Sequence, residues 1–114
     1  MIFWLLIIPI HFVKDYYLQT NAMYEGKRQA TGYLPQLACH SAVNALGTMF
    51  VVWITLLDTE PVAGAVVALA AGLFDFGAHL AIDRAKFLFD LSTVTDQSLH
   101  CATYLTIYVA LSLI

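Results

Sequence analysis

The chain contains four histidines, each with an oxygen-bearing side chain four residues away. His11 precedes Asp15, His40 precedes Asn44, His79 lies midway between Asp75 and Asp83, and His100 follows Asp96. On a helix, residues four apart share a face, with roughly 6 Å between side-chain origins. An imidazole and a carboxylate so placed can share one cation, or the carboxylate can orient the imidazole from behind. Aspartate supplies 6 of the 114 residues. By composition, three of four histidines meeting an aspartate at this spacing is a chance of about half a per cent.

This pairing suits a divalent metal, zinc first and then manganese or iron, as one ion or as two sharing a carboxylate. The candidate ligands are His11, Asp15, His40, Asp75, His79, Asp83, Asp96 and His100. Such an ion lowers the pKa of a bound water from about 15.7 to near 7, which is hydrolytic chemistry at neutral pH. A carboxylate outside the ligand set would act as general base, and Asp15 and Asp96 are the candidate catalytic residues. A plainer account competes. Histidines near helix ends can sit among lipid headgroups, Asp96 can complement a helix dipole, and Asp83 can simply pair with Arg84 or Lys86.

The elements that must position these residues are apolar. The chain is 61% hydrophobic and 11% charged, too little charge to coat a small soluble domain. Residues 1–13, 41–57, 61–74 and 102–114 carry no Lys, Arg, Asp or Glu. Crossing a bilayer takes roughly 20 helical residues. The expected fold is all-α: one transmembrane domain, 1–114, forming an integral membrane four-helix bundle with spans at about 1–18, 38–57, 61–82 and 96–114. The polar stretch 19–36, with Gly26, Gly32 and Pro35, reads as an interfacial loop with at most a short helix near 22–28. Residues 1–13 lack a basic flank before them and have Lys14 after, so they read as a retained helix rather than a signal peptide.

The third helix begins at Pro61 after the turn Asp58-Thr59-Glu60, with Thr59 as the expected cap. It is rich in small residues, and its helical pattern extends to about residue 89. Thr93 or Thr95 is expected to cap the fourth.

All five basic residues, Lys14, Lys27, Arg28, Arg84 and Lys86, follow the first or third span, whereas Asp58 and Glu60 occupy the other connection. The positive-inside rule then puts the N- and C-termini on the non-cytoplasmic side of a cell inner membrane. Trp4 and Trp53 suit the outer aromatic belt, and Tyr16, Tyr17, Tyr24 and Tyr33 the inner one. With this topology every His/Asp set falls at the cytoplasmic ends of four different helices. Asp75 lies deepest, where a lone carboxylate is costly. The basic residues around the same mouth could hold a phosphate or an anionic headgroup, or serve only as topology signals. Cys39 and Cys101 read as reduced, small packing residues.

The ordered motifs HxxxDxxLQ over residues 11–19, Lys27, His40, HxxxD over 79–83 with Lys86, and DQxxH over 96–100 span nearly the whole chain. They resemble the small bacterial and phage membrane proteins grouped as domain-of-unknown-function family 3307, a family that implies no activity. A looser likeness is to membrane-bound metal-dependent hydrolases with a GxxxHxxxD stretch. Here Gly77 stands only two residues before His79.

The reading favoured by the residues is a membrane-embedded, metal-dependent hydrolase acting on a phosphorylated or lipid-linked substrate at the cytoplasmic face. Gln19, Lys27, Lys86 and Gln97 are the expected substrate-binding residues. The lipid bilayer is the expected partner, with an anionic small molecule or headgroup as ligand and a second copy of the chain admitted. The alternatives are a non-catalytic module that regulates or joins a larger membrane complex, and a transport or pore-forming protein. The second is disfavoured because the outer halves of the first three helices offer no polar path. Nucleic-acid binding has little support, since five basic residues in a chain of net charge −3 make no patch. Dinucleotide, P-loop and CxxC motifs are absent.

Overall fold

A computed structural model of the chain describes residues 1–16, 19, 21–59 and 61–114, with the backbone alone for Tyr16. The expectations for Tyr16 as a belt side chain, Tyr17, Leu18 and Glu60 therefore lie outside the described residues. The described residues form five helices and no strand: α1 (Ile2–Tyr16), α2 (Asn21–Lys27), α3 (Leu34–Leu56), α4 (Pro61–Phe89) and α5 (Thr93–Ser112).

The ends of these helices follow local chemistry. α3 begins earlier than expected, at Leu34, because Pro35 fits the first turn, where a missing N–H costs nothing. Thr59 does not open α4 as expected; its hydroxyl donates back to the Leu56 carbonyl at 3.2 Å and closes α3. α4 runs unbroken to Phe89 and stops where Asp90 takes a left-handed conformation, φ 51°. Leu91 N–H then donates to the Lys86 carbonyl at 3.0 Å, a helix-terminating turn that an aspartate can adopt at small cost. The cap of α5 is Ser92, not Thr93 or Thr95. Its extended backbone aims the hydroxyl at the Thr95 N–H, 3.1 Å away, whereas Thr93 is already inside the helix.

Each long helix buries one stripe. On α4 it runs Gly64, Ala68, Gly72, Asp75, His79, Asp83, every step three or four residues. Its first half is small, so α3 approaches closely. A Cβ on Gly72 would fall 2.1 Å from Met49 Cγ and 3.3 Å from the Ala45 carbonyl. The apolar core gathers there, with Phe3 and Ile7 of α1, Val51 and Val52 of α3, Ala68 of α4, and Tyr104 and Ile107 of α5.

Inside and outside are inverted relative to a water-soluble domain. Among the described residues, 13 polar or charged side chains are buried against 9 apolar ones, while 24 large apolar side chains are exposed. α3 and α4 are long and apolar enough to cross a bilayer. α1, with 15 residues, spans about 22 Å, and α5 opens on a polar turn.

Candidate metal centre

Apolar stripes become polar at one end of the bundle, and all eight expected ligands arrive there buried or nearly so. α1 supplies His11 and Asp15, α3 supplies His40, α4 supplies Asp75, His79 and Asp83, and α5 supplies Asp96 and His100. The imidazoles touch one another. His79 and His100 stack at 4.1 Å between centroids, with His11 5.2 Å from His100 and His40 5.8 Å from His79.

Three groups have ligand atoms mutually within 4.8 Å: His11–Asp15–His79, His40–His79–Asp83 and Asp83–Asp96–His100. His79 belongs to two of them and Asp83 to two. Asp83 turns Oδ1 toward His100 Nε2 at 3.3 Å and Oδ2 toward His40 Nε2 at 3.2 Å, the posture of a bridging carboxylate. Asp15 stands 3.2 Å from His11 Nε2 and 3.6 Å from His40 Nε2, and Asp96 3.6 Å from His100 Nε2.

These separations bear on two accounts. A charge-assisted N–H···O bond measures about 2.7–2.9 Å. Two ligands each about 2.1 Å from one tetrahedral ion stand about 3.4 Å apart. The His–Asp separations of 3.2–3.6 Å suit the second value, and the 3.2–3.3 Å ones equally suit long hydrogen bonds such as Lys86 to Asp96 at 3.3 Å. Several buried atoms of the cluster also have no hydrogen-bond partner: His79 Nε2, His40 Nδ1, His100 Nδ1, Asp15 Oδ1 and Asp96 Oδ1. Unpaired buried polar atoms are costly, and a cation among them could satisfy His79 Nε2, Asp15 Oδ1 and Asp96 Oδ1, though not the Nδ1 atoms of His40 and His100, whose Nε2 atoms face Asp83. The chemistry of the donor set, imidazole and carboxylate, is one that could hold a divalent ion.

Asp75 is the exception among the expected ligands. It joins none of the three groups, because it lies behind His79, 3.2 Å from Nδ1, with its other oxygen held by the Thr48 hydroxyl. An imidazole whose Nδ1–H donates to a carboxylate presents a bare Nε2 lone pair, and Nε2 of His79 is the atom left without a partner. Asp75 is placed to orient His79 rather than to complete one of the three groups. On the opposite side the Tyr104 hydroxyl meets His11 Nδ1 at 2.8 Å, and Gln97 Oε1 meets His11 Nε2 at 3.0 Å.

A cavity of about 310 Å³ opens beside the cluster, lined by Asp15, Asp83, Asp96, Gln19, Lys27 and Lys86 among others. The two expected catalytic residues and the four expected substrate-binding residues all line it. Lys27, carried over the mouth by α2, is buried against Asp83, and Lys86 reaches Asp96 at 3.3 Å. α2 lies close because Gly26 leaves room for the Gln36 side chain; a Cβ there would fall 2.2 Å from Gln36 Cγ.

The other basic residues do not ring this mouth as expected. Lys14 is 2% exposed, crosses Gly47 and donates to the Asn44 carbonyl at 2.9 Å, because α1 packs that face on α3. Arg84 donates to the Gln29 carbonyl at 2.9 Å and stacks 3.6 Å over Tyr33, tying the loop to α4. Arg28 packs on Tyr24 and Phe87. Cys39 and Cys101 are exposed, so they neither pack inside nor join a candidate group.

Thr48 and Tyr104 escaped notice as site residues. A signal existed for Thr48, since His40, Asn44 and Thr48 repeat every four residues on α3. Tyr104 likewise follows His100 by four.

The helices and the cluster define an all-α protein with a buried histidine–aspartate centre. The chain belongs to the family described as "Protein of unknown function (DUF3307)", whose family model matches residues 1–114, the whole chain. No curated protein and no solved structure matches it.

Proposed function

We propose that this protein is a membrane-embedded, metal-dependent hydrolase whose centre binds one or two divalent ions, zinc foremost. The observation that carries the reading is the sharing of His79 and Asp83 among three ligand groups drawn from four helices. Bundle interiors are a usual home for such carboxylate–histidine centres. A bound ion would supply Lewis acidity toward a water or a substrate oxygen. The chain's own residues do the rest. Asp75 and Tyr104 hold His79 and His11 in place. Asp15 and Asp96, at the open side, are the candidate proton acceptors. Gln19, Lys27, Lys86 and Gln97 face the substrate.

The inverted distribution of polar and apolar residues supports four membrane-crossing helices, including the short α1 and the polar-headed α5. The basic residues at the end of the cluster support a cytoplasmic mouth, with both termini across the inner membrane.

Metal analysis of the detergent-purified chain tests this, beside His79→Ala and Asp83→Ala. Stoichiometric metal in the wild type and its loss from both variants is the expected outcome. Wild-type protein free of metal after purification and after incubation with zinc, manganese and iron would remove the reading. The lysine contacts that already engage Oδ2 of Asp83 and of Asp96 favour a second reading, a non-catalytic metal-responsive module. Hydrolysis of phosphoesters or lipid-linked phosphates by the loaded protein, lost in Asp15→Asn or Asp96→Asn, separates the two.

A further inference from the structure

Four carboxylates, Asp15, Asp75, Asp83 and Asp96, stand around the centre with three lysines, Lys14, Lys27 and Lys86. Three of the carboxylates, Asp15, Asp83 and Asp96, line the cavity against two lysines, Lys27 and Lys86. A phosphate entering it would meet repulsion. Its natural partners are also engaged: Lys27 Nζ lies 2.9 Å from Asp83 Oδ2, and Lys86 Nζ 3.3 Å from Asp96 Oδ2.

Asp83 and Asp96 are also members of the ligand groups. An oxygen that coordinates a divalent ion is a poorer acceptor for an ammonium, and the added charge repels that ammonium. The displaced Lys27 and Lys86 both line the same 310 Å³ cavity and can turn into it. One divalent ion adds two positive charges beside this lining. A second cavity of about 320 Å³ adjoins it through Tyr24, Lys86 and Phe87, adding Arg28 but also the opposing Asp90.

We propose that this cavity takes a phosphate-bearing ligand through Lys27 and Lys86, which are latched to Asp83 and Asp96 until those carboxylates turn to a divalent ion. This deepens the proposed function and rests on its metal centre. The order of binding is then metal first and phosphate second. Lys27 makes α2 the moving part, and the lysines serve as stand-in cations when the centre is bare.

Equilibrium dialysis of radiolabelled inorganic phosphate against the full chain in detergent tests it. The chain is first stripped with chelator, then reloaded with zinc and desalted. Reloaded wild type should bind at least about tenfold tighter than stripped protein, the scale of one charge-assisted hydrogen bond. Lys27→Met and Lys86→Met should each lose about tenfold in the reloaded state while keeping their zinc. Asp83→Asn should free Lys27, so that even the stripped variant binds phosphate more tightly than stripped wild type. Asp96→Asn does the same for Lys86, and serves where Asp83→Asn fails to fold.

Equal phosphate affinity in stripped and reloaded wild type overturns the proposal, as does undiminished binding in both zinc-loaded lysine variants. Absence of zinc from wild type ends the metal reading; the Asp→Asn variants then decide the latch alone, tighter phosphate binding upholding it and unchanged binding ending it. Competition with nanodiscs of phosphatidylcholine, with or without phosphatidic acid, identifies the source. Displacement only by the phosphatidic acid discs supports a headgroup ligand, and no displacement supports a soluble phosphate compound.

Discussion

The two ends of the bundle use the same four long helices and solve opposite problems. At one end Phe3, Ile7, Val51, Val52, Ala68 and Ile107 interlock, and small residues on α4 let the backbones close in. At the other end the same stripes continue as His11, His40, Asp75, His79, Asp83, Asp96 and His100. Contact at the apolar end is nondirectional, and losing one side chain loosens it locally. Groups at the polar end share partners, so removing one leaves others uncompensated. The difference shows where the structure is specified and where it is merely packed.

The hardest blow to this contrast is Asp83→Ala. It removes one of the two residues common to two ligand groups, and leaves Lys27 buried without its counter-ion. Metal affinity should fall by more than about 100-fold, beyond the range set by outer-shell changes, as read by metal titration. Full metal content in this variant would erase the distinction between the ends.

Asp75→Asn sharpens it. The substitution keeps the size but removes the charge that fixes His79, and metal affinity should fall about 10–100-fold with secondary structure unchanged by circular dichroism. An unaltered affinity would make Asp75 a packing residue.

Ile7→Ala tests the apolar end. The site is fully buried, but lipid is as good a solvent for isoleucine as the core, so only packing is lost, about 1–2 kcal/mol. Thermal melting should register it while metal stoichiometry stays that of wild type.

The smallest effect is expected from Tyr104→Phe, at the border between the two regions. Its ring belongs to the apolar cluster and its hydroxyl to His11. Loss of one hydrogen bond, about 1 kcal/mol, should weaken metal binding about fivefold and leave packing intact.

Much of this was legible in the sequence because helix geometry is periodic. Spacings of four placed His11 with Asp15 and Asp96 with His100, and charge-free runs placed α3 and α4. The convergence of the sets at one end followed from counting turns. Roles were harder to read. Asp75 and Asp83 flank His79 symmetrically in sequence, yet one sits behind the ring and the other in front, since that depends on how α3 packs. Lys14 looked like a surface charge because nothing local reveals that Gly47 leaves a channel for it. Ser92, not its neighbours, caps α5 because the choice depends on a single ψ angle.

The stripe on α4 passes from Gly64, Ala68 and Gly72 to Asp75, His79 and Asp83 without changing face. Inside a bilayer, an apolar rod gains almost nothing by turning one side rather than another toward its neighbours. The acidic and imidazole end breaks that indifference, since any other azimuth would bury a charge in hydrocarbon. On the proposed reading of α4 as a membrane-crossing helix, Asp75, His79 and Asp83 act as its compass for assembly, setting which way it points before a ligand ever arrives.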